Sequence, residues 1–282
     1  MGGRVTRQGW ASQPQYPVEI DWENPDTRDL RFMYVGSMPV DLVTGRTATV
    51  VGGAAPRTIN GGNGAAIGPD ISGTSYLDFG TRESWNVLGR MTLFWRGQID
   101  SAAGAFRCPI SKANNNGAAT TPFDVYIDSG SGRVAFGKAS TSYRYFATAN
   151  AAASGSVNAF AFVATTDDML NAPLCALNSS RLETASVFAD NGGTGLATGN
   201  TNSLKIGRRD DGATQLDGAP EVSMLWARSL SQEEYARVYQ NPYSLLKPVR
   251  RRLYIIGATS AGTFKPAWAI GSNQLLGGGY AS

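Results

Sequence analysis

From residue 91 onward apolar side chains return at every second position, and turn-forming clusters cut the pattern into short lengths. Met91, Leu93, Trp95 and Ile99 alternate with Thr92, Phe94, Arg96 and Gln98. That is the period of a β-strand packed on one or both faces. The alternation recurs at residues 123–128, 134–136, 143–146, 160–163 and 174–177. Between these runs stand Asn114-Asn115-Asn116-Gly117, Ser129-Gly130-Ser131-Gly132 and Asp190-Asn191-Gly192-Gly193, all suited to tight reversals of the chain. Many short strands joined in this way make an all-β, two-sheet antiparallel sandwich. The 34 glycines among 282 residues, against a usual share of about 7%, supply the turns.

One helix is expected, near the C-terminal end. Ser231 followed by Glu234 forms a capping box, Tyr235, Val238 and Tyr239 share one face, and Asn241-Pro242 stops the run. Residues 45–73, with Gly52-Gly53, Gly61-Gly62 and Gly64, read as irregular edge strands. Residues 1–35 read as an extended arm, broken by Pro14, Pro17 and Pro25 and carrying Trp10, Tyr16 and Trp22. The sandwich is then expected over 36–257, closing on a last strand at 253–256, and a Gly- and Ser-rich tail over 258–282 with Trp268 as an anchor. On this division, removal of residues 1–30 should leave the sandwich folded.

Composition narrows the chemistry. The sequence contains no histidine, which excludes Ser–His–Asp and Cys–His nucleophile systems and a histidine-bearing zinc site. A net charge of +3 is too small for a phosphate-binding surface across the whole molecule, so nucleic acid is not the expected partner. No apolar run approaches the roughly 20 residues that span a bilayer, and the N-terminal residues lack the apolar stretch of a signal peptide, so no membrane partner is expected. Cys108 and Cys175 have neither metal-ligand spacing nor the density of a disulfide framework, and read as half-buried thiols.

Carboxylates remain as candidate reactive groups. In a strand, Glu19, Asp21 and Glu23 would point to one side, with the glutamates spaced for two-carboxylate glycoside hydrolysis. The run resembles the E-x-D-x-E signature of retaining glucanases with a concanavalin-like sandwich. Its place in a proline-broken arm favours instead a polar segment paired with bases such as Arg28 and Arg31. Asp210-Asp211-Gly212 with Asp217 reads as an acidic turn or as oxygen donors for calcium, and no metal is assigned. Arg250-Arg251-Arg252 is the one basic run, an interface-facing turn or a phosphate contact. Trp85, Tyr143 and Tyr145 could stack on sugar rings or pack across strands.

A family resemblance rests on the residues from 204 onward. Leu204-Lys205-Ile206-Gly207-Arg208-Arg209-Asp210-Asp211-Gly212, then Leu216-Asp217-Gly218, Trp226 and Ser229-Leu230-Ser231-Gln232-Glu233-Glu234 resemble the closing region of laminin-G-like, concanavalin-A-like jelly-roll domains. The flanks, Asn241-Pro242-Tyr243-Ser244-Leu245-Leu246-Lys247-Pro248 and the arm around Trp10, Trp22 and Asn24-Pro25, resemble tailed-bacteriophage proteins that carry this jelly roll. The resemblance implies a jelly-roll sandwich with one short C-terminal helix and extended arms, and a virion structural or capsid decoration protein without enzymatic activity or cofactor. Its partners would be capsid or other virion proteins and further copies of itself. It would be made in the host cytoplasm and end in the virion. Trp10, Tyr16, Trp22 and Arg28 would be the arm's partner-binding residues, and Arg250, Arg251, Arg252 and Trp268 a second interface. The alternative is a carbohydrate-binding adhesin module that reads host glycans through an aromatic and Asn-rich rim, and a glycoside hydrolase using Glu19 and Glu23 stands behind both.

Overall fold

The computed structural model describes residues 12–14, 17–61, 64–102, 104–113, 122–138, 144–167, 170–190, 201–209 and 214–249. In chain order the strands are β1 (Val18–Ile20), β2 (Leu30–Val35), β3 (Met38–Asp41), β4 (Arg46–Thr47), β5 (Thr49–Val51), β6 (Pro56–Gly61), β7 (Gly64–Pro69) and β8 (Tyr76–Asp78). There follow β9 (Met91–Ile99), β10 (Arg107–Ser111), β11 (Asp124–Ile127), β12 (Arg133–Gly137), β13 (Arg144–Ala151), β14 (Ser156–Ala164) and β15 (Leu174–Leu177). The last are β16 (Glu183–Thr184), β17 (Ser186–Asp190), β18 (Lys205–Ile206), β19 (Gly218–Trp226) and β20 (Leu246–Pro248), with helix α1 (Gln232–Gln240) between the final two.

Two eight-stranded sheets form the sandwich. The back sheet runs β16-β15-β14-β9-β19-β2-β3-β4 and the front sheet β17-β13-β12-β11-β10-β18-β8-β5. Smaller pairs, β1 with β20 and β6 with β7, lie outside them. The antiparallel pairings confirm the sandwich that the alternation predicts, and every alternating run named above that falls within the described residues lies on a strand. Between the sheets, Phe32, Leu93, Trp95, Phe160 and Phe162 meet Leu77, Ile110, Val125, Val134, Phe136 and Phe146. Trp95 stacks on Phe160 at 5.2 Å and Phe136 on Phe162 at 5.0 Å. Offset aromatic stacking adds about 0.5–1.5 kcal/mol per pair beyond the buried area.

The arm expected over 1–35 is corrected in its last third. Residues 30–35 form an inner strand of the back sheet, paired with β19 on one side and β3 on the other. Leu30-Arg31-Phe32-Met33-Tyr34-Val35 is nearly all apolar because Phe32 and Tyr34 face the inter-sheet core while Met33 and Val35 face the opposite side. A strand buried on both faces loses the alternation that would mark it. Residues 18–27 are also built in: Val18 and Ile20 are buried, and the Asp26 carboxylate takes two hydrogen bonds from Arg237 of α1, at 2.9 and 2.6 Å.

The back sheet is consequently covered. Its outer residues Met33, Phe94, Met224 and Trp226 pack under Tyr235 and Val238 of α1, under Tyr243 and Leu245, and under Val18 and Ile20. Helix α1 begins with the expected capping box: the Ser231 side chain accepts from the Glu234 amide and the Glu234 side chain accepts from the Ser231 amide. The two thiols are fully buried rather than half-buried. Burial pushes Cys175 up to about 11, leaving very little thiolate at pH 8. Neither thiol should react with a disulfide reagent in the native protein at pH 8, and both should react in guanidinium. Rapid native labelling of one thiol per chain would show that its strand opens.

Candidate functional site on the outer face of the front sheet

Among the described residues no helix covers the outer face of the front sheet, yet Asp124, Tyr126 and Tyr145 on it are buried, 0%, 8% and 5% exposed. The strand period decides which side chains face outward. On β11, Val125 and Ile127 enter the core, so Asp124 and Tyr126 face outward; on β13, Phe146 enters and Tyr145 faces outward.

Asp124, Gly137 and Tyr145 stand in one cross-strand row on β11, β12 and β13. A Cβ on Gly137 would lie 2.5 Å from the Tyr145 ring, closer than real Cβ atoms come. The absent side chain lets that ring lie across β12, and its hydroxyl donates to Asp124 Oδ2 at 3.1 Å. Arg209, just after β18, places a guanidinium nitrogen 3.4 Å from the same oxygen. Burial pushes the Asp124 carboxyl up from its usual range, opposed by the Arg209 charge and by the hydrogen bond from Tyr145. Burial also holds the Tyr145 hydroxyl well above its ordinary value, so it stays a donor.

Beside this polar base lies an aromatic group. Tyr126 meets Tyr145 at 5.0 Å, Phe106 at 5.6 Å and Phe188 at 6.2 Å, all edge to face. Phe106 is 47% exposed, and the Arg133 guanidinium sits 5.9 Å above the Phe188 ring. Further along the face, Tyr76 is flanked by Lys205 and Arg208, each 5.1 Å from its ring. The connections after β10, β12 and β17 leave the same end of the sheet, the end at which Asp124, Tyr145 and Lys205 stand. Two buried lysines tie that end down: Lys112 donates to the Asn202 carbonyl at 2.6 Å, and Lys138 to those of Leu88 and Gly89 at 2.6 and 2.5 Å. The exposed Phe106 ring can pack on an apolar C–H face, while Asp124 and Arg209 are themselves buried, 0% and 5% exposed.

The residues singled out in the sequence scatter. Trp22 is 57% exposed after β1, and Arg28 is exposed with its Nε 3.6 Å from Asp29. Trp10, Tyr16, Arg250, Arg251, Arg252, Trp268, Tyr143, Asp210, Asp211, Gly212 and the expected strand at 253–256 lie outside the described residues. Trp85 is a core residue, edge-on to Phe32 at 5.8 Å, and only Tyr145 joins the site. Glu19 and Asp21 are held by Lys247, at 3.8 and 3.6 Å, rather than by Arg28 or Arg31. Asp217 pairs with Arg107 at 3.6 Å. Among the described residues no three acidic or cysteine side chains gather as metal ligands do. Phe106, Asp124, Tyr126, Phe188 and Arg209 were not singled out, although the outward positions of residues 123–128 carried the signal.

No family model and no curated protein matches the sequence. Solved structures do match in shape. Domain 4 of AbnA, a GH43 extracellular arabinanase from Geobacillus stearothermophilus solved with arabinotriose, superposes with a TM-score of 0.52 at 12% identity, over 75% of this chain and 98% of that one. The receptor-binding domain of botulinum neurotoxin C/D mosaic serotype superposes with a TM-score of 0.51 at 10% identity, over 76% of this chain. This chain spans about half of that second structure, 51%. The likeness establishes the class of fold, a two-sheet jelly-roll β-sandwich.

Proposed function

We propose that the chain is a non-catalytic glycan-binding module whose sugar site is the outer face of the front sheet. The observation that carries this reading is the aromatic group of Phe106, Tyr126, Tyr145 and Phe188 beside the Asp124–Arg209 pair. A pyranose or furanose ring offers an apolar face, which the exposed Phe106 ring can cover. The arabinotriose bound to the AbnA domain and the receptor-binding role named for the neurotoxin domain are properties of those proteins, and they guide the choice of ligands to try. Glu19 and Asp21 share the single Lys247 ammonium, at 3.8 and 3.6 Å, which suits a polar segment paired with a base.

The test is a glycan panel followed by calorimetry. At least one oligosaccharide should bind saturably, and Phe106→Ala, which removes an exposed ring without opening the core, should weaken it about tenfold, equivalent to about 1.4 kcal/mol. Binding of no glycan at millimolar concentration, or equal binding by Phe106→Ala, would sink the reading. Release of new reducing ends by the wild-type protein would overturn its non-catalytic part.

The resemblance to tailed-phage proteins supports a second reading, a virion surface component. One observation favours it, the exposure of Trp22 on the back side of the body. Stoichiometric copurification with assembled particles is its test, and recovery only as free monomer would count against it.

A further inference from the structure

Three adjacent strands of the back sheet stop side by side at one end of the body. Strand β9 begins directly after Arg90, β19 ends directly before Ala227, and Arg31 is the second residue of β2. With the 3-10 turn Glu83–Trp85 and residues 86–90 they line an open cavity of about 720 Å³, within the range of about 300–1,000 Å³ typical of small-molecule sites. The wall is fixed in place. Lys138 donates to the Leu88 and Gly89 carbonyls at 2.6 and 2.5 Å, and the Arg90 amide donates to Asp167 Oδ1 at 3.1 Å. Trp85 anchors the turn in the core, edge-on to Phe32 at 5.8 Å.

The cavity's charges are exposed and uncommitted. Arg31, Arg90 and Glu83 all face solvent, and among the described residues none of the three side chains has a hydrogen-bond or ion-pair partner. Arg228 and Arg237, by contrast, are taken up by Glu234 and Asp26. Two bases against one acid leave the lining net positive. Because β19 separates β2 from β9, the main chains carrying the two arginines stand roughly 10 Å apart, and two long side chains can converge on one anion across that gap. The planar guanidinium fork matches a carboxylate. A carboxylate alone would fill little of the space. What remains is Glu83 and Ser84, which can exchange hydrogen bonds with hydroxyls, and Val87, Leu88 and Ala227, which offer an apolar wall to a C–H face.

We propose that this cavity binds a small acidic sugar, a uronate, with its carboxylate between Arg31 and Arg90 and its hydroxyls against Glu83 and Ser84. The site shares no residue with the Phe106 group and stands whether or not that face binds a glycan.

Calorimetry on the full chain compares D-galacturonate and D-glucuronate with D-galactose and D-glucose, which carry a hydroxymethyl group where the uronates carry the carboxylate. At least one uronate should bind one to one, at least tenfold more tightly than its neutral counterpart, and more weakly as salt is raised. Arg31→Gln and Arg90→Gln should each weaken it about tenfold with an unchanged melting temperature, since neither side chain has a partner to lose. Phe106→Ala should leave uronate binding as it is; a loss there would move the uronate to the front sheet and overturn the proposal. So would binding of neither uronate at millimolar concentration, equal binding of the neutral sugars, or full affinity in the Arg31→Gln/Arg90→Gln double variant. Inorganic phosphate that binds as tightly as the uronate would show bare charge pairing and overturn the assignment to a sugar.

Discussion

A variant lacking residues 1–30 should fail to fold. The deletion removes Val18 and Ile20 from the cover over the back sheet and Leu30 from β2 itself. At about 1.5–3 kcal/mol for each buried aliphatic side chain, their loss alone approaches the 5–15 kcal/mol that separates a typical folded domain from its unfolded chain. Polar groups are stranded as well. The Trp226 indole donates to the Asp26 carbonyl at 2.8 Å, the Asp21 amide to the Leu245 carbonyl at 2.8 Å, and the Arg228 side chain to the Arg28 carbonyl at 2.9 Å. Circular dichroism with urea titration reads the variant, and a native-like midpoint would mean that the back sheet does not need its cover.

Arg96→Met should cost about 3–5 kcal/mol of stability, the usual penalty for stranding one charge of a buried pair. Arg96 Nε lies 3.0 Å from Glu221 Oε2 on the back sheet, with side chains only 9% and 2% exposed. The Tyr243 hydroxyl donates to the other oxygen of Glu221, so the pair is roofed by the segment that follows α1. Adding Glu221→Gln to the first substitution should recover most of the loss, since the amide oxygen still accepts from Tyr243 and no unpaired charge remains. Urea midpoints of the two single variants and the double variant give the coupling. A single substitution costing under about 1 kcal/mol would show the pair to be hydrated in solution.

Much of the sandwich was legible because runs in both sheets, β9 and β14 in the back and β11 and β13 in the front, alternate at the strand period between turn-forming clusters. The helix was legible from one local motif, Ser231 with Glu234. Strand β2 was not, since burial of both its faces erased the period and the prolines before it suggested a tether. The site was harder to read for a related reason. Asp124 and Tyr126 occupy the polar half of an alternating strand, where solvated residues are the default, and the meaning of Gly137 depends on a tyrosine one strand away. No single stretch of sequence contains the row that joins them.

The pairing of β1 with β20 has a consequence for presentation. Chain entering at Val18 and chain departing after Leu246 do so side by side, on the covered side of the body. A tether at either flank therefore holds the molecule by its back and leaves the aromatic face pointing outward. Several copies mounted in this way on one support would offer their faces in parallel. Individually weak sites could then combine through effective concentration into durable avidity, with the spacing of the mounts, rather than the contacts of any one site, setting which ligand arrays are gripped.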